Sequence, residues 1–400
     1  MANTKPMAKA VAISSLLSAM GIAIPYNAMA ADAFAEALTS GKASGDFRLR
    51  YESVEQDNTL KDAEALTLRS RVGYTTGAMS GFSAMIEFED VRIVGGMDEY
   101  APATPGYSII GDPETTEVEQ AHIKYSADWV TAKYGRQVFT LDNHRFVGHV
   151  GWRQDRQTFD ALTTVFTPME DLTVTYAYLF KRNRIAAETD DRKSKDHILN
   201  VGYKTPVGTL TGYGYFLEEV DTPTEPTIDT IGVRFAGTSG AFSYALEFAT
   251  QEKDDNTGAD FDADYMLAEG AFAFSGLKAT LGYEVLGSDD GSYGFSTPLA
   301  TLHKFNGWAD QFLGTPAQGL VDLYVSLGGK LAGGNWAVVY HEFEADEESG
   351  GIDDLGDEID LVYSTNFGSN YNAGIKYAAY TAGDTKVDTD KLWVWVGMTF

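Results

Sequence analysis

Apolar and polar residues alternate along almost the whole chain after residue 44. The stretch FRLRY, for example, sets Phe47, Leu49 and Tyr51 against Arg48 and Arg50. A period of two residues is typical of a β-strand that presents one face to an apolar phase and the other to a polar phase. The pattern therefore predicts an all-β protein.

Eighteen stretches carry this alternation, and each is about long enough to cross a bilayer when tilted. The predicted strands are 45–53, 65–76, 81–92, 116–127, 129–138, 157–167, 171–182, 195–205, 207–218, 227–237, 240–251, 261–274, 277–287, 318–331, 334–345, 357–367, 370–381 and 388–400. After residue 30 there is no apolar run of the length that a spanning helix needs.

The links between these strands differ in length in a regular way. Links after the even-numbered strands are short, whereas several after the odd-numbered strands are long and acidic or Gly-rich, as in 93–115, 139–156, 183–194 and 288–317. This asymmetry is typical of an outer-membrane barrel. We therefore expect residues 45–400 to form a transmembrane antiparallel β-barrel of 18 strands, with short periplasmic turns and long extracellular loops. The chain has no repeat of fixed period, which argues against a solenoid or propeller. The remaining soluble alternative is a β-sandwich.

The first 30 residues have the layout of a secretory signal peptide. Lys5 and Lys9 precede an apolar stretch at 10–24, and Ala28–Ala30 supply the small residues of a cleavage site. We predict a signal peptide at residues 1–30 and a short periplasmic segment at residues 31–44. Together with the barrel, the signal peptide predicts a bacterial outer-membrane location.

The last residues, DKLWVWVGMTF, continue the alternation to Phe400. Backbone groups in hydrocarbon must be paired internally, so the last strand of a membrane sheet must pair with the first. The ending resembles the C-terminal signature by which outer-membrane barrels are recognised for assembly. The resemblance makes Phe400 an assembly signal. It also implies the barrel-assembly machinery as a partner, beside outer-membrane lipid and lipopolysaccharide; the oligomeric state is left open.

Composition excludes several functions. With 30 Lys and Arg against 58 Asp and Glu, the net charge of −28 lacks the positive footprint of a nucleic-acid binder. The chain has no cysteine, which excludes thiol catalysis and cysteine-based metal sites. No catalytic motif stands out, so we expect no enzyme activity; a surface hydrolase is a remote alternative.

If the apolar positions face lipid, several cations face the lumen. The predicted pore-lining residues are Arg48, Arg50, Arg69, Arg71, Lys124, Lys133 and Arg136 on strands, and Arg145 and Arg153 in the loop 139–156. The face of Arg136 depends on whether Gly135 forms a bulge. Two hypotheses stay open for this group: an electrostatic track for anions, or charges paired with inward acids that only keep the lumen wet.

Two loops attract attention. Residues 139–156 are a candidate constriction, and the apolar residues of 288–317 indicate packing as a short helix or an inward fold.

His144 and His149 lie five residues apart but are more typical of polar loop residues than of a zinc site. The acidic segments 254–264 and 344–360 predict solvated loops. Residues 254–264 lack the spacing of an EF-hand loop, so no cofactor is expected. Ca²⁺ bound in the acidic loops stays open as an alternative.

Three stretches are similar to the alginate-export-like outer-membrane porins: SGDFRLRYE (44–52), GRQ (135–137) and FSTPLATLHKFNGWADQFLGTPAQGLVDLYVSLGGKLAGG (295–334). The resemblance implies an 18-stranded barrel with an Arg- and Lys-lined lumen for an anionic uronate polymer. It also implies pore-lining roles for Arg48, Arg50, Arg69, Arg71 and Arg136. The expected function is a passive channel for small or anionic, sugar-like solutes. The alternative is a non-conducting adhesive or scaffolding barrel.

Overall fold

The computed structural model describes residues 28–400, so most of the predicted signal peptide lies outside the described residues. Helix α1 spans Ala28–Thr39 and begins three residues before the predicted mature chain. Within the described part of the chain, every helix is too short or too polar to cross a membrane. The predicted division at residue 44 is close to the first strand, which begins at Lys42.

Eighteen strands form one closed antiparallel sheet. They are β1 (Lys42–Gln56), β2 (Ala63–Thr75), β3 (Phe82–Glu99), β4 (Thr115–Ala127), β5 (Val130–Gln137), β6 (Thr158–Met169), β7 (Leu172–Asn183), β8 (Arg192–Thr205), β9 (Gly208–Val220), β10 (Thr227–Ser239), β11 (Phe242–Asp254), β12 (Asp260–Phe274), β13 (Leu277–Leu286), β16 (Leu320–Leu331), β17 (Gly334–Ser349), β18 (Ile352–Phe367), β19 (Tyr371–Thr381) and β20 (Thr389–Thr399). A small hairpin of β14 (Ser288–Asp289) and β15 (Tyr293–Gly294) and two short 3₁₀ helices, Glu188–Asp190 and Leu302–Lys304, lie in loops.

The barrel closes through β1 and β20, as the sequence predicts. Their register runs from Asp46 opposite Thr399 to Gln56 opposite Thr389. Phe400 lies beyond the strand but still exchanges two backbone hydrogen bonds with Gly45, at 3.0 and 3.1 Å. This pairing leaves no free edge, which is the condition for placing a sheet in hydrocarbon.

The outer surface of the barrel is apolar. On β20, Val394 and Val396 point outward and are more than 40% exposed, whereas Lys391 and Trp393 point inward and are buried. The same alternation on other strands exposes Ile231, Val233, Leu246, Phe248, Phe272, Leu281, Val325 and Ile375. An apolar belt of this extent is expected of a surface that contacts lipid.

All eighteen predicted strands are present, but several are longer than predicted. The prediction that residues 344–360 form a solvated acidic loop is wrong, because β17 continues to Ser349 and β18 begins at Ile352. Gly350 and Gly351 form the turn, and both have positive φ angles, which a two-residue hairpin turn favours. The acidic residues of this segment therefore sit on an extended hairpin.

The two rims of the barrel differ as predicted. One rim, here called the short-turn rim, has links of two to six residues, such as 76–81 and 128–129. The opposite long-loop rim has the links 100–114, 138–157 and 287–319. Helix α1 contacts the short-turn rim, where the Gly77 amide donates to the Ala37 carbonyl at 2.8 Å.

Two of the long links fold into the lumen: the β5–β6 loop (138–157) and the β13–β16 loop (287–319). They join each other through a bridge between Val147 and Leu299, and the Gly148 amide donates to the Leu299 carbonyl at 2.8 Å. Their apolar side chains form an inner core with the lumen wall. Its larger members are Phe139, Phe159, Tyr213, Tyr215, Tyr265, Phe295, Leu299, Phe312, Phe343 and Trp393. The predicted inward fold of both loops is therefore present, and it narrows the lumen.

Candidate functional site

Arg48 on β1 binds the backbone of the β5–β6 loop. Its guanidinium donates to the carbonyls of Trp152 at 2.7 Å, Arg153 at 2.6 Å and Gly151 at 3.3 Å, and to Gln154 Oε1 at 2.9 Å. A guanidinium suits this role, because its donors lie in a fixed planar fork. The side chain that the sequence predicts as pore-lining thus faces the lumen, where it anchors the loop.

Arg50 lies two residues after Arg48 on the same face of β1, and it is buried among a different set of acceptors. It pairs with Asp112, lies 3.2 Å from Glu52 and stacks over the Trp152 ring at 5.1 Å. Burial alone would raise the pKa of Asp112, but the charges of Arg50 and Arg153 outweigh it and lower that pKa below its usual range. Asp112 is therefore an ionised partner that the link between β3 and β4 brings into the lumen.

The two arginines of β2 also have acidic partners. Arg69 donates to Asp46 at 2.5 Å, and Arg71 pairs with Glu89. Arg71 additionally donates to the Gln154 carbonyl at 3.0 Å, so it too contacts the β5–β6 loop. Arg48 stands directly opposite Arg69 in the β1–β2 register. Like charges in that position repel each other, and here the loop and the acids supply the compensating acceptors.

The face of Arg136 does not follow from the alternation of the other predicted cations. The β4–β5 register is unbroken and sets Lys133 opposite Lys124 and Arg136 opposite Ala121, so Gly135 does not introduce a bulge. Gly135 nevertheless has a φ of 123°, so the backbone is irregular between Lys133 and Arg136. The Arg136 guanidinium lies 2.9 Å from Asp160 and 3.5 Å from Glu117, near the long-loop rim.

Lys124 and Lys133 differ from the arginines. They are cross-strand neighbours on β4 and β5, close to the short-turn rim, and both are half-buried. Their outward neighbours Ile123 and Tyr134 are exposed, so the two lysines face the lumen. Within residues 28–400 neither ammonium has a carboxylate within ion-pair distance. These two residues therefore present uncompensated positive charge to the lumen.

Arg145 and Arg153 fix the β5–β6 loop from within. Arg145 lies 2.9 Å from Glu284 on β13 and donates to Asn306 at 3.0 Å. Arg153 bridges Glu52 on β1, at 3.1 Å, and Asp310 in the β13–β16 loop, at 2.8 Å. Both guanidinium groups are buried, and each ties a loop to the wall or to the other loop.

The centre of the lumen holds a network that sequence reasoning missed. Asp310 accepts hydrogen bonds from His303 Nδ1 at 2.6 Å and Lys391 at 3.1 Å, in addition to Arg153. The other imidazole nitrogen, Nε2, lies 3.0 Å from the Lys376 ammonium. That ammonium sits over the rings of Trp308 at 3.8 Å and Trp152 at 4.2 Å. The contributing residues are far apart in the chain, so no local sequence motif predicts that they meet.

Burial sets the charge states of the loop residues in this network. It lowers the pKa of His303 to about 3, so the ring is neutral, with Nδ1–H donating and Nε2 accepting. Burial alone would raise the pKa of Asp310. The His303 hydrogen bond and the charges of Lys391 and Arg153 outweigh it and hold that pKa well below its usual range. Asp310 is therefore a charged hub that neutral His303 connects to Lys376.

Two carboxylates of β18 hold the β13–β16 loop by its backbone. The Ala309 amide donates to Glu358 at 2.7 Å, and the Trp308 amide donates to Asp360 at 3.2 Å. Gly307 precedes them with a φ of 83°, and a Cβ there would lie 2.3 Å from Glu358 Oε2. Any residue with a Cβ would have to displace the Glu358 carboxylate, so the close contact between this turn and β18 requires glycine at position 307.

A cavity of about 260 Å³ opens toward the long-loop rim. Its wall combines apolar residues of the β13–β16 loop, including Phe312 and Leu313, with Arg182 and Arg184 at the end of β7. Arg182 is paired with Asp196 at 2.7 Å, while Arg184 is 3.0 Å from Asp190 and partly exposed. The cavity thus offers an apolar floor and a polar, arginine-bearing edge.

The sequence candidates for metal binding do not form a metal-type group of three or more ligands within residues 28–400. Asp255 of the acidic segment caps its own turn by accepting from the amides of Thr257 at 2.8 Å and Ala259 at 3.2 Å. The rings of His144 and His149 are 5.3 Å apart, and burial lowers the pKa of His149 to about 4. The carboxylates that do converge in the described part of the chain lie elsewhere, on β3, β4 and the β5–β6 loop.

Comparison with known proteins agrees with this architecture. A family model described as "Alginate export" matches residues 36–283. Similar solved structures include Acinetobacter baumannii OccAB4, with 14% identity, 91% of this chain and 98% of that chain covered, and a TM-score of 0.70. Pseudomonas aeruginosa OccK8 (OprE) has 15% identity, 91% and 99% coverage and a TM-score of 0.71. Identities this low show the fold alone. No curated protein matches the sequence significantly.

Proposed function

Because the chain belongs to the alginate export family, we propose that it is a passive channel in a bacterial outer membrane. The observation that carries the proposal is the closed 18-stranded barrel, which is apolar outside and lined with charged residues inside. Diffusion through such a lumen needs neither an energy source nor covalent chemistry. In this orientation the short-turn rim is periplasmic, the long-loop rim meets lipopolysaccharide, and Phe400 serves as the assembly signal.

The solute of this channel is small. The β5–β6 and β13–β16 loops cross the lumen and share an apolar core with its wall, which leaves little free cross-section. The cavity at the long-loop rim, at about 260 Å³, is on the scale of a small molecule. Uptake of single small solutes therefore fits the geometry better than export of a long polymer.

The channel prefers anions, so its solute carries negative charge. Arg50, Arg69 and Arg71 have carboxylate partners, so they contribute little net potential, and Arg48 is covered by the β5–β6 loop that it anchors. Lys124 and Lys133 have no such partners in the described structure, and rings of positive charge favour anions. We assign the ion preference to this lysine pair, and we assign to the arginines the task of holding the loops. A small sugar acid fits this arrangement, because its carboxylate suits the lysine pair and its ring can stack on the apolar wall of the cavity.

Planar-bilayer recordings test this function. The purified protein should form open channels whose reversal potential in a KCl gradient shows anion preference. Lys124→Ala with Lys133→Ala should remove most of that preference and leave the conductance near that of the unchanged protein. Lys193→Ala removes a lysine that is paired with Asp221 at 2.6 Å near the long-loop rim, so it is the control and should have little effect. Cation preference in the unchanged protein, or no change in the double variant, would contradict the assignment.

A second function is favoured by one observation. The two inward loops are joined to each other and packed on an apolar core, which is also what a plugged, non-conducting adhesive or scaffolding barrel requires. The same recordings separate the two functions. A folded barrel that inserts into the bilayer without measurable conductance would replace the channel proposal with this one.

A further inference from the structure

Three buried carboxylates meet where the β5–β6 loop touches the lumen wall. Carboxylate oxygens of Glu89 on β3, Glu119 on β4 and Asp155 in the loop all lie within 4.8 Å of one another. Each of the three residues is only 1% exposed. Three like charges at this spacing, shielded from water, repel one another strongly unless something compensates them.

The arginines nearby compensate only part of this charge. Arg71 pairs with Glu89 and lies 3.6 Å from Glu119, while Arg156 pairs with Glu119 and with Glu87. Two positive charges thus face four carboxylates, those of the trio and Glu87. The local excess is two negative charges, which is the charge that one divalent cation would neutralise.

Two oxygens of the trio have no hydrogen-bond partner in the described structure. They are Oε1 of Glu89 and Oδ2 of Asp155, and both are fully shielded from solvent. Buried carboxylate oxygens are normally satisfied by a donor or a cation. These two unpaired oxygens favour a cation as the partner of the trio.

We propose that Glu89, Glu119 and Asp155 bind one Ca²⁺ ion. Carboxylate oxygens are the preferred ligands of this hard cation, at 2.3–2.6 Å. Two oxygens at that distance from a single ion can be up to about 5 Å apart, which agrees with the observed spread. Mg²⁺ binds oxygens at roughly 2.0–2.1 Å, so it would require the three groups to move closer together.

The position of the site gives the ion a structural role. Asp155 lies in the β5–β6 loop between Gln154, which contacts Arg48, and Arg156, which contacts β3 and β4. Glu89 and Glu119 are on the wall. Bound Ca²⁺ therefore fastens the constriction loop to the barrel at a point where the protein's own charges would push it away.

Calcium titration of the full-length barrel in detergent, after removal of metal with EGTA, tests the proposal. Isothermal titration with CaCl₂ should show one site, and the melting temperature should rise with CaCl₂, because ligand that binds the folded state stabilises it. MgCl₂ should bind at least tenfold more weakly. Absence of Ca²⁺ binding by the unchanged, folded protein would overturn the proposal.

Asp155→Asn is the decisive variant, because it keeps the side-chain shape and removes one charge. It should weaken Ca²⁺ binding at least tenfold, yet in EGTA it should melt no lower than the unchanged protein, since a repulsion is relieved. Glu89→Gln provides a second variant. Asp262→Asn, an exposed acid of the segment 254–264, is the control and should bind normally. Loss of binding in Asp262→Asn with full binding in Asp155→Asn would place the ion in that segment and refute our site.

Discussion

Replacing Arg48 by alanine should release the constriction loop without unfolding the barrel. The guanidinium makes four hydrogen bonds to residues 151–154, and the β1 backbone that carries it is held independently by β2 and β20. The substitution therefore removes contacts between wall and loop and leaves the closed sheet intact.

The magnitude follows from the two shortest of these bonds, at 2.6 and 2.7 Å to the Arg153 and Trp152 carbonyls. A hydrogen bond to a charged group contributes about 1.5–3 kcal/mol, so the two together are worth at least about 3 kcal/mol of loop docking. At about 1.4 kcal/mol per factor of ten, the ratio of docked to undocked loop falls roughly 100-fold. Part of the loop population should then leave the lumen.

Single-channel recording measures this change directly. Arg48→Ala should raise the mean conductance and add current noise as the loop moves. Arg48→Lys keeps the charge but lacks the planar fork of donors, so it should show the same effect to a smaller extent. Lys124→Ala is the matched control, because it removes a lumenal cation that does not contact the loop. Conductance and noise equal to those of the unchanged protein in a folded Arg48→Ala barrel would refute the anchoring role.

Three further predictions concern the inner network. The His303 ring resists protonation down to about pH 3, whereas an unfolded histidine takes a proton near pH 6.5. Stability should therefore fall as pH drops from about 6.5 toward 3, by at most about 5 kcal/mol, and melting curves should show a smaller loss in His303→Gln. Gly307→Ala should loosen the β13–β16 loop, because its Cβ would clash with Glu358; protease cleavage of this loop should become faster, and an unchanged rate would contradict the clash. Phe343→Ala empties a fully buried position beside Phe312 and should cost about 3–5 kcal/mol, seen as a lower melting temperature; a loss below about 1 kcal/mol would show that the inner core does not stabilise the fold.

The strands could be predicted because their signal is local. Each strand alternates between a lipid face and a lumen face, so a few consecutive residues such as Phe47 to Tyr51 reveal both the strand and its orientation. Closure follows from the need to pair every backbone group in hydrocarbon. The eighteen strands, the two unequal rims and the inward direction of Arg48, Arg50, Arg69 and Arg71 were all accessible in this way.

Local backbone detail limited the same reasoning at a few positions. The face of Arg136 depended on whether Gly135 interrupts the register, which alternation alone does not show. Residues 344–360 have an acidic composition typical of a loop, yet the pairing between β17 and β18 continues almost to Gly350. Pairing with a neighbouring strand outweighed composition there.

What the lumenal charges do was decided by the tertiary structure. Arg48 meets its acceptors more than 100 residues away along the chain, and the network at Asp310 draws on residues from 153 to 391. Alternation assigns a side chain to the lumen, but it does not say whether a loop arrives there to bind it. The sequence alone determined a charged, water-facing interior inside an apolar cylinder. Only the contacts made in three dimensions, by acids on neighbouring strands and by the links that enter the lumen, decided which charges are paired and which, such as Lys124 and Lys133, are not, because an ion pair requires contact within a few ångströms.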